Sequence, residues 1–140
     1  MTGSLRNHTA LIVEEDVGFL LWLGQLLTEA GYRTIPASDS RQAAAFVHEI
    51  GVPIHLAVVN FNLKGASSML RALGATHRDL RIIAIGHPGK ENPARVPASA
   101  ILEKPRSSER ISHEDWQQRI HQAVTDAPPL DLTAVANRSS

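Results

Sequence analysis

The sequence predicts an α/β fold in which a doubly wound, five-stranded parallel sheet is covered by helices on both faces. Two observations carry this prediction. Short runs of branched apolar residues alternate along the chain with segments whose apolar residues recur at helical spacing;. The apolar runs are also continuous, which is typical of parallel strands buried on both faces. Right-handed crossovers between such strands then place helices on both sides of the sheet.

The predicted strands are the apolar runs, and turn or capping residues separate them from the helices. The strands are 10–13, 32–36, 54–59, 80–85 and 98–102. The helices are 17–30, 40–50, 67–76 and 112–124. Gly31 and Gly51 end the first two helices, and Ser38 or Asp39 caps the second. Ser112 and Asp115 have the capping-box spacing that begins the last helix.

Length and composition indicate one globular domain. The chain has 140 residues, of which 43% are hydrophobic and 20% charged, which suits one domain with a core of its own. We expect residues 9–125 to form it, with an N-terminal tail at 1–8 and a flexible C-terminal tail at 126–140.

Charge and cysteine content exclude several classes of function. Fourteen basic residues balance fourteen acidic ones, so a nucleic-acid partner is not expected. Without cysteine there is no disulfide framework, thiolate zinc site or cysteine nucleophile;. No apolar segment is long enough for a signal peptide or a membrane span, and we expect a cytoplasmic protein.

The candidate site lies at the carboxyl edge of the sheet, where parallel α/β folds place their working residues. Polar or special residues follow four of the predicted strands. They are Glu14, Glu15 and Asp16 after the first, Asn60 at the end of the third, Gly86 and His87 after the fourth, and Lys104 after the fifth.

The strand-end segments LIVEED, AVVNFNLKG, IIAIG and ILEKP, in this order and spacing, resemble the receiver domain of bacterial response regulators. The resemblance covers about residues 9–125 and implies a flavodoxin-like, CheY-like three-layer sandwich. In that family an aspartate at the end of the third strand accepts a phosphoryl group from a histidine kinase. Magnesium is held there by this aspartate and an acid pair.

The resemblance also implies that the phosphorylation site here is degenerate. The acceptor position is Asn60, which is neutral. The Ser or Thr that bonds the phosphoryl oxygen in the family is replaced by Gly86, and the aromatic partner of that switch by Ile101. Lys104 is retained, and we expect it to form an ion pair with Glu15 or Glu14. With Glu14 and Glu15 at the acid-pair positions, magnesium binding should be absent or weak.

The segment between Gly86 and Lys104 predicts a shortened or lost fourth helix. It is shorter than is usual in the family and contains Pro88, Pro93 and Pro97. Proline inside a helix removes a hydrogen bond and clashes with the preceding turn. The family's usual output dimer, which uses this helix, is therefore not expected.

The first helix has more apolar residues than one core face needs. Leu20 and Leu21 are in excess, so they form either an exposed protein-binding patch or a surface that other parts of the chain cover. Trp116 and Ile120, at helical spacing on the last helix, are expected in the core.

These observations favour a phosphorylation-independent, noncatalytic interaction module in two-component signalling. Its partner would be a histidine kinase, a phosphotransfer protein or a scaffold, and a homodimer stays open. The alternative is a regulatory domain that binds a small ligand or metal through the carboxyl-edge acids, His87 and Lys104. An enzyme is disfavoured, because neither a phosphate-cradling glycine loop nor a nucleophile–base pair is visible, and Ser67 and Ser68 are explained as helix-capping residues.

Overall fold

Strands and helices alternate along the chain, as the apolar pattern predicts. The computed structural model describes residues 8–77, 79–86, 100–103 and 113–126. The strands are β1 (Thr9–Val13), β2 (Arg33–Ala37), β3 (Leu56–Asn60), β4 (Arg81–Gly86) and β5 (Ala100–Glu103). The helices are α1 (Val17–Glu29), α2 (Ser40–Ile50), α3 (Ala66–Thr76) and α4 (His113–Asp126).

The strands form one parallel sheet in the order β2-β1-β3-β4-β5. Every residue of β1 and β3 is buried, because helices cover both faces of the central strands. The prediction of a flavodoxin-like α/β fold with a parallel sheet is confirmed.

The core consists of two clusters, one on each face of the sheet. Adjacent strand residues point to opposite faces, so Ile12 and Val58 pack with α1 and α4 around Trp116. Leu11 and Val59 pack on the other face with residues of α2 and α3. Trp116 and Ile120 are buried as predicted, at 0% and 2% exposure.

Helix ends follow from local sequence. Asp39 caps α2, and its Oδ1 accepts the Gln42 N–H at 2.7 Å. At the end of α1, Gly31 has φ 103°, a conformation that side chains disfavour. The Gly31 and Tyr32 amides donate to the carbonyls of Thr28 and Leu27, both at 3.0 Å. This Schellman motif turns the chain into β2.

Of the two alternatives for Leu20, the structure shows the covered one. Leu20 is only 7% exposed and belongs to the cluster around Trp116. The reason is that α1 packs against α4 as well as against the sheet, and a helix with two neighbours buries a wider stripe. Leu21, on the outer side of α1, is 65% exposed.

His8 and Asp126, which sequence assigns to the two tails, take part in the described structure. The His8 carbonyl, assigned to the tail by sequence, accepts the Arg33 N–H at 2.9 Å. Asp126, the first residue of the predicted C-terminal tail, is the last residue of α4. The shortened fourth helix with its prolines, Ser112, and the rest of both tails lie outside the described residues. No helix in the described ranges is long and apolar enough to cross a membrane.

Candidate functional site

The three acids after β1 have different surroundings. Glu14 is buried at 1% exposure, and one of its carboxylate oxygens accepts the Asp16 N–H at 3.3 Å. Glu15 and Asp16 are exposed. Asp16 is the N-cap of α1, and its Oδ1 accepts the Phe19 N–H at 3.2 Å. One acid therefore lies inside the protein, and another begins the helix.

Asn60 is the last residue of β3 and is only 2% exposed. Its side-chain Oδ1 accepts the Asn62 N–H at 2.9 Å, and its carbonyl accepts the Leu63 N–H at 3.2 Å. Asn and Asp side chains stabilise turns in this way. The carboxamide thus closes the turn that leads from β3 to Gly65, the N-cap of α3.

Strand register brings the predicted positions to one edge of the sheet. Val13 pairs with Val59, so Glu14 follows at the level of Asn60. Asn60 pairs with Ile85, which places Gly86 one residue beyond it on β4. Ile101 lies in β5 opposite Ala84, and its side chain is outside the described set. His87, Lys104 and the predicted ion pair of Lys104 also lie outside the described residues.

The ring of Phe61 lies directly against Gly86. A β-carbon added at position 86 would be 2.5 Å from Phe61 Cε1, 3.3 Å from Cε2 and closest of all to Cζ. Phe61 is 6% exposed, and its N–H donates to the Ile85 carbonyl at 3.1 Å. The aromatic ring therefore occupies the volume of any side chain that residue 86 could carry.

Magnesium is the cation that the resemblance implies for this edge, and the described side chains fit it poorly. Magnesium is usually held by one or two carboxylates in near-ideal octahedral geometry. Here one Glu14 oxygen already accepts a backbone N–H, and Asn60 has no charge. No three His, Asp or Glu side chains within the described ranges are grouped so that they could hold a metal ion. Weak binding through Glu14 and Glu15 stays a prediction.

Comparison with known proteins identifies the architecture. No family model and no curated protein matches the chain. Among solved structures, a response regulator receiver domain protein from Clostridium thermocellum is 18% identical, with TM-score 0.66 over 85% of this chain and 95% of the other. The chain has the receiver fold.

Two further structures share the receiver fold. A response regulator receiver protein from Sinorhizobium medicae WSM419 is 21% identical, with TM-score 0.66 over 88% of this chain and 98% of that one. The chemotaxis response regulator CheY4 of Vibrio cholerae is 17% identical, with TM-score 0.65 over 83% and 98% of the two chains. At such identities a shared receiver fold does not establish a shared activity.

Phe61 is the site residue that sequence reasoning missed. The sequence alone indicates only that Gly86 lacks a hydroxyl. The available signal was an aromatic residue directly after the end of β3 together with a glycine at the end of β4. These two residues become neighbours only through the β3–β4 register.

The opposite edge of the sheet contains a histidine cluster and a groove. The rings of His8 and His55 stack at 4.2 Å between centroids, and the Thr9 N–H donates to His55 Nδ1 at 3.1 Å. His77 lies at one end of a groove of about 580 Å³ between α2 and α3, lined mainly by apolar side chains such as Val47 and Leu73. The groove has the volume of a small-molecule pocket but lies away from the predicted site.

We expect Asp16→Ala to lower the free energy of unfolding by about 1 kcal/mol, because it removes an N-cap acceptor. Glu15→Ala, at the exposed neighbouring position, should change it by no more than about 0.5 kcal/mol. Asp16→Asn should keep most of the stability, since a carboxamide also caps. Urea unfolding of the three variants measures these differences, and equal losses for Asn and Ala at position 16 would contradict the capping role.

Acid should destabilise the protein through His55. Burial lowers the pKa of His55 below its ordinary value of 6.5, neighbouring His8 and His77 lower it further, and Asp79 acts in the opposite direction. The unfolded chain therefore takes up this proton first, so the contribution of neutral His55 is complete above about pH 6.5 and is lost as the pH falls through the lower folded-state pKa.

The variant His55→Asn isolates this effect, because its side-chain oxygen can still accept the Thr9 N–H but does not titrate. Urea midpoints of the wild type and the variant, measured from pH 7.5 to pH 4.5, should diverge towards acid, with the wild type losing more. Parallel curves would show that His55 is not the responsible group.

Proposed function

We propose that this protein is an atypical, phosphorylation-independent receiver domain that acts as a noncatalytic protein-interaction module in bacterial two-component signalling. The observation that carries the proposal is Asn60, a buried carboxamide at the end of β3 whose Oδ1 accepts the Asn62 N–H. In proteins of the receiver fold, the resemblance places the phosphoacceptor aspartate at this position.

The chemistry of Asn60 opposes phosphoryl transfer. An acyl phosphate forms when a carboxylate oxygen attacks phosphorus, and a neutral carboxamide oxygen is a much weaker nucleophile. The Asn60 oxygen is also engaged in the turn that begins at the end of β3. The carboxamide thus serves the architecture of the loop.

The switch parts implied by the resemblance are absent as well. Gly86 has no hydroxyl, and Ile101 stands where the family has an aromatic residue. The domain therefore has one conformation, and its partner binds the surface of that conformation without prior phosphorylation. The partner class is a histidine kinase, a phosphotransfer protein or a scaffold.

The outer face of α1 is the surface that we assign to this partner. Val17 and Leu21 are 60% and 65% exposed, and residues four apart on a helix are neighbours. Val17 directly follows the exposed acids Glu15 and Asp16. Because Leu20 is buried, the proposed patch consists of Val17 and Leu21, and of the two leucines considered from sequence only Leu21 belongs to it.

Acetyl phosphate with Mg²⁺ should leave the wild-type protein unmodified, because Asn60 lacks a nucleophilic carboxylate. Intact mass spectrometry should find no added phosphoryl group, and amide NMR signals around Asn60 and Gly86 should not shift. A receiver domain with an aspartate at the end of its third strand serves as the positive control. A phosphorylated wild-type species would end the proposal of phosphorylation independence.

The double change Val17→Asp with Leu21→Lys should reduce partner binding at least tenfold while the fold is retained, because both side chains are exposed. The matched control is Ile50→Lys with Val52→Asp, since those apolar residues are 45% and 39% exposed on another surface. Binding is measured by biolayer interferometry against purified histidine kinases and phosphotransfer proteins from the source organism. Equal binding by both double variants would remove α1 as the contact.

A further inference from the structure

We propose that Phe61 is a specificity-determining residue whose ring prevents phosphoryl-type anions from binding at the end of β4. Gly86 makes room for the ring because it has no side chain, and we call the space beside Gly86 the socket. This inference rests on the proposed function and deepens it. It assigns the exclusion of phosphate to a second, independent feature besides the carboxamide of Asn60.

The ring of Phe61 lies so close to Gly86 that residue 86 cannot carry a side chain while the ring stays in place. A β-carbon at position 86 would lie 2.5 Å from Phe61 Cε1 and nearer still to Cζ, well inside van der Waals separation. Serine, threonine or alanine at position 86 therefore requires the ring to move. The absence of a hydroxyl at Gly86 and the presence of the ring are one coupled feature.

The ring is held in place by its surroundings. Phe61 is only 6% exposed, so rotating it outwards would transfer a large apolar side chain into water. Its backbone N–H is bonded to the Ile85 carbonyl at 3.1 Å, which ties the residue to the strand that ends in Gly86. The volume beside Gly86 is thus filled by a fixed part of the structure.

The Phe61 ring makes the space beside Gly86 unfavourable for an anion. The resemblance places there a hydroxyl that donates to a phosphoryl oxygen, whereas an aromatic ring offers no donor to replace the water that an anion loses on entry. A charged group buried without compensating hydrogen bonds is strongly disfavoured. The site should therefore reject a phosphoryl group even when a carboxylate is restored at position 60.

The test is a set of variants treated with acetyl phosphate and Mg²⁺: Asn60→Asp alone, then with Phe61→Ala, then with Phe61→Ala and Gly86→Ser. In the reaction a carboxylate oxygen of the introduced aspartate attacks phosphorus, the bond from phosphorus to the acetyl oxygen breaks, and acetate leaves. Asn60→Asp combined with Phe46→Ala is the matched control, because Phe46 is a partly buried phenylalanine on α2 that packs against the core cluster beneath α2 and α3.

Intact mass spectrometry should show at least tenfold faster labelling of the double variant with Phe61→Ala than of Asn60→Asp alone, with the triple variant at least as fast. The Phe46 control should label like Asn60→Asp alone. Equal rates with and without Phe61 would overturn the proposal, and so would no labelling of any variant, because opening the socket would then not admit the anion. Labelling of the wild type would instead overturn the proposed function.

A second experiment tests the Phe61–Gly86 contact through protein stability and needs no phosphorylation reaction. Gly86→Ser should clearly lower the urea midpoint of the wild type but leave the midpoint of the Phe61→Ala variant unchanged or raise it. Equal decreases in both backgrounds would show that the ring and the socket are not coupled, and would overturn the proposal even if a labelled variant were found.

Discussion

The fold depends on one constraint, which is that the central strands of a parallel sheet covered on both faces can carry polar side chains almost only where they end. Within β1 and β3, every residue is buried, and a polar group there must find a hydrogen-bond partner or destabilise the fold. Glu14 and Asn60 meet this requirement at the carboxyl edge, where the amides of Asp16 and Asn62 in the following loops are available as donors. The same constraint that builds the core therefore concentrates the protein's chemistry at one edge.

Much of the fold could be predicted because each element is encoded locally. The apolar runs, the cap at Asp39 and the stop at Gly31 each depend on a few neighbouring residues, and their order then restricts the topology. Leu20 could not be placed in this way. Its burial depends on α1 contacting α4, and the breadth of a helix's buried stripe is decided by how many neighbours it has.

The sequence predicts where the candidate site lies, but not which side chains fill it. The rule that strand ends converge was sufficient to select Glu14, Asn60 and Gly86. The structural role of a glycine at a strand end depends on the residues that lie next to it in space. Phe61 lies next to Gly86 only because of the register of β3 and β4. From sequence the glycine indicates a missing hydroxyl, whereas in the structure it is also the condition for packing a ring.

The Phe61–Gly86 contact also makes either of its two residues difficult to replace alone. A side chain introduced first at position 86 meets the ring, and such overpacking costs about 1–3 kcal/mol. A ring lost first leaves a cavity, and Phe→Ala changes in cores cost about 3–5 kcal/mol. Since domains are stable by only about 5–15 kcal/mol, either first step uses a large part of that margin. Substitutions at positions 61 and 86 are therefore expected to occur together, because each of them alone is destabilising.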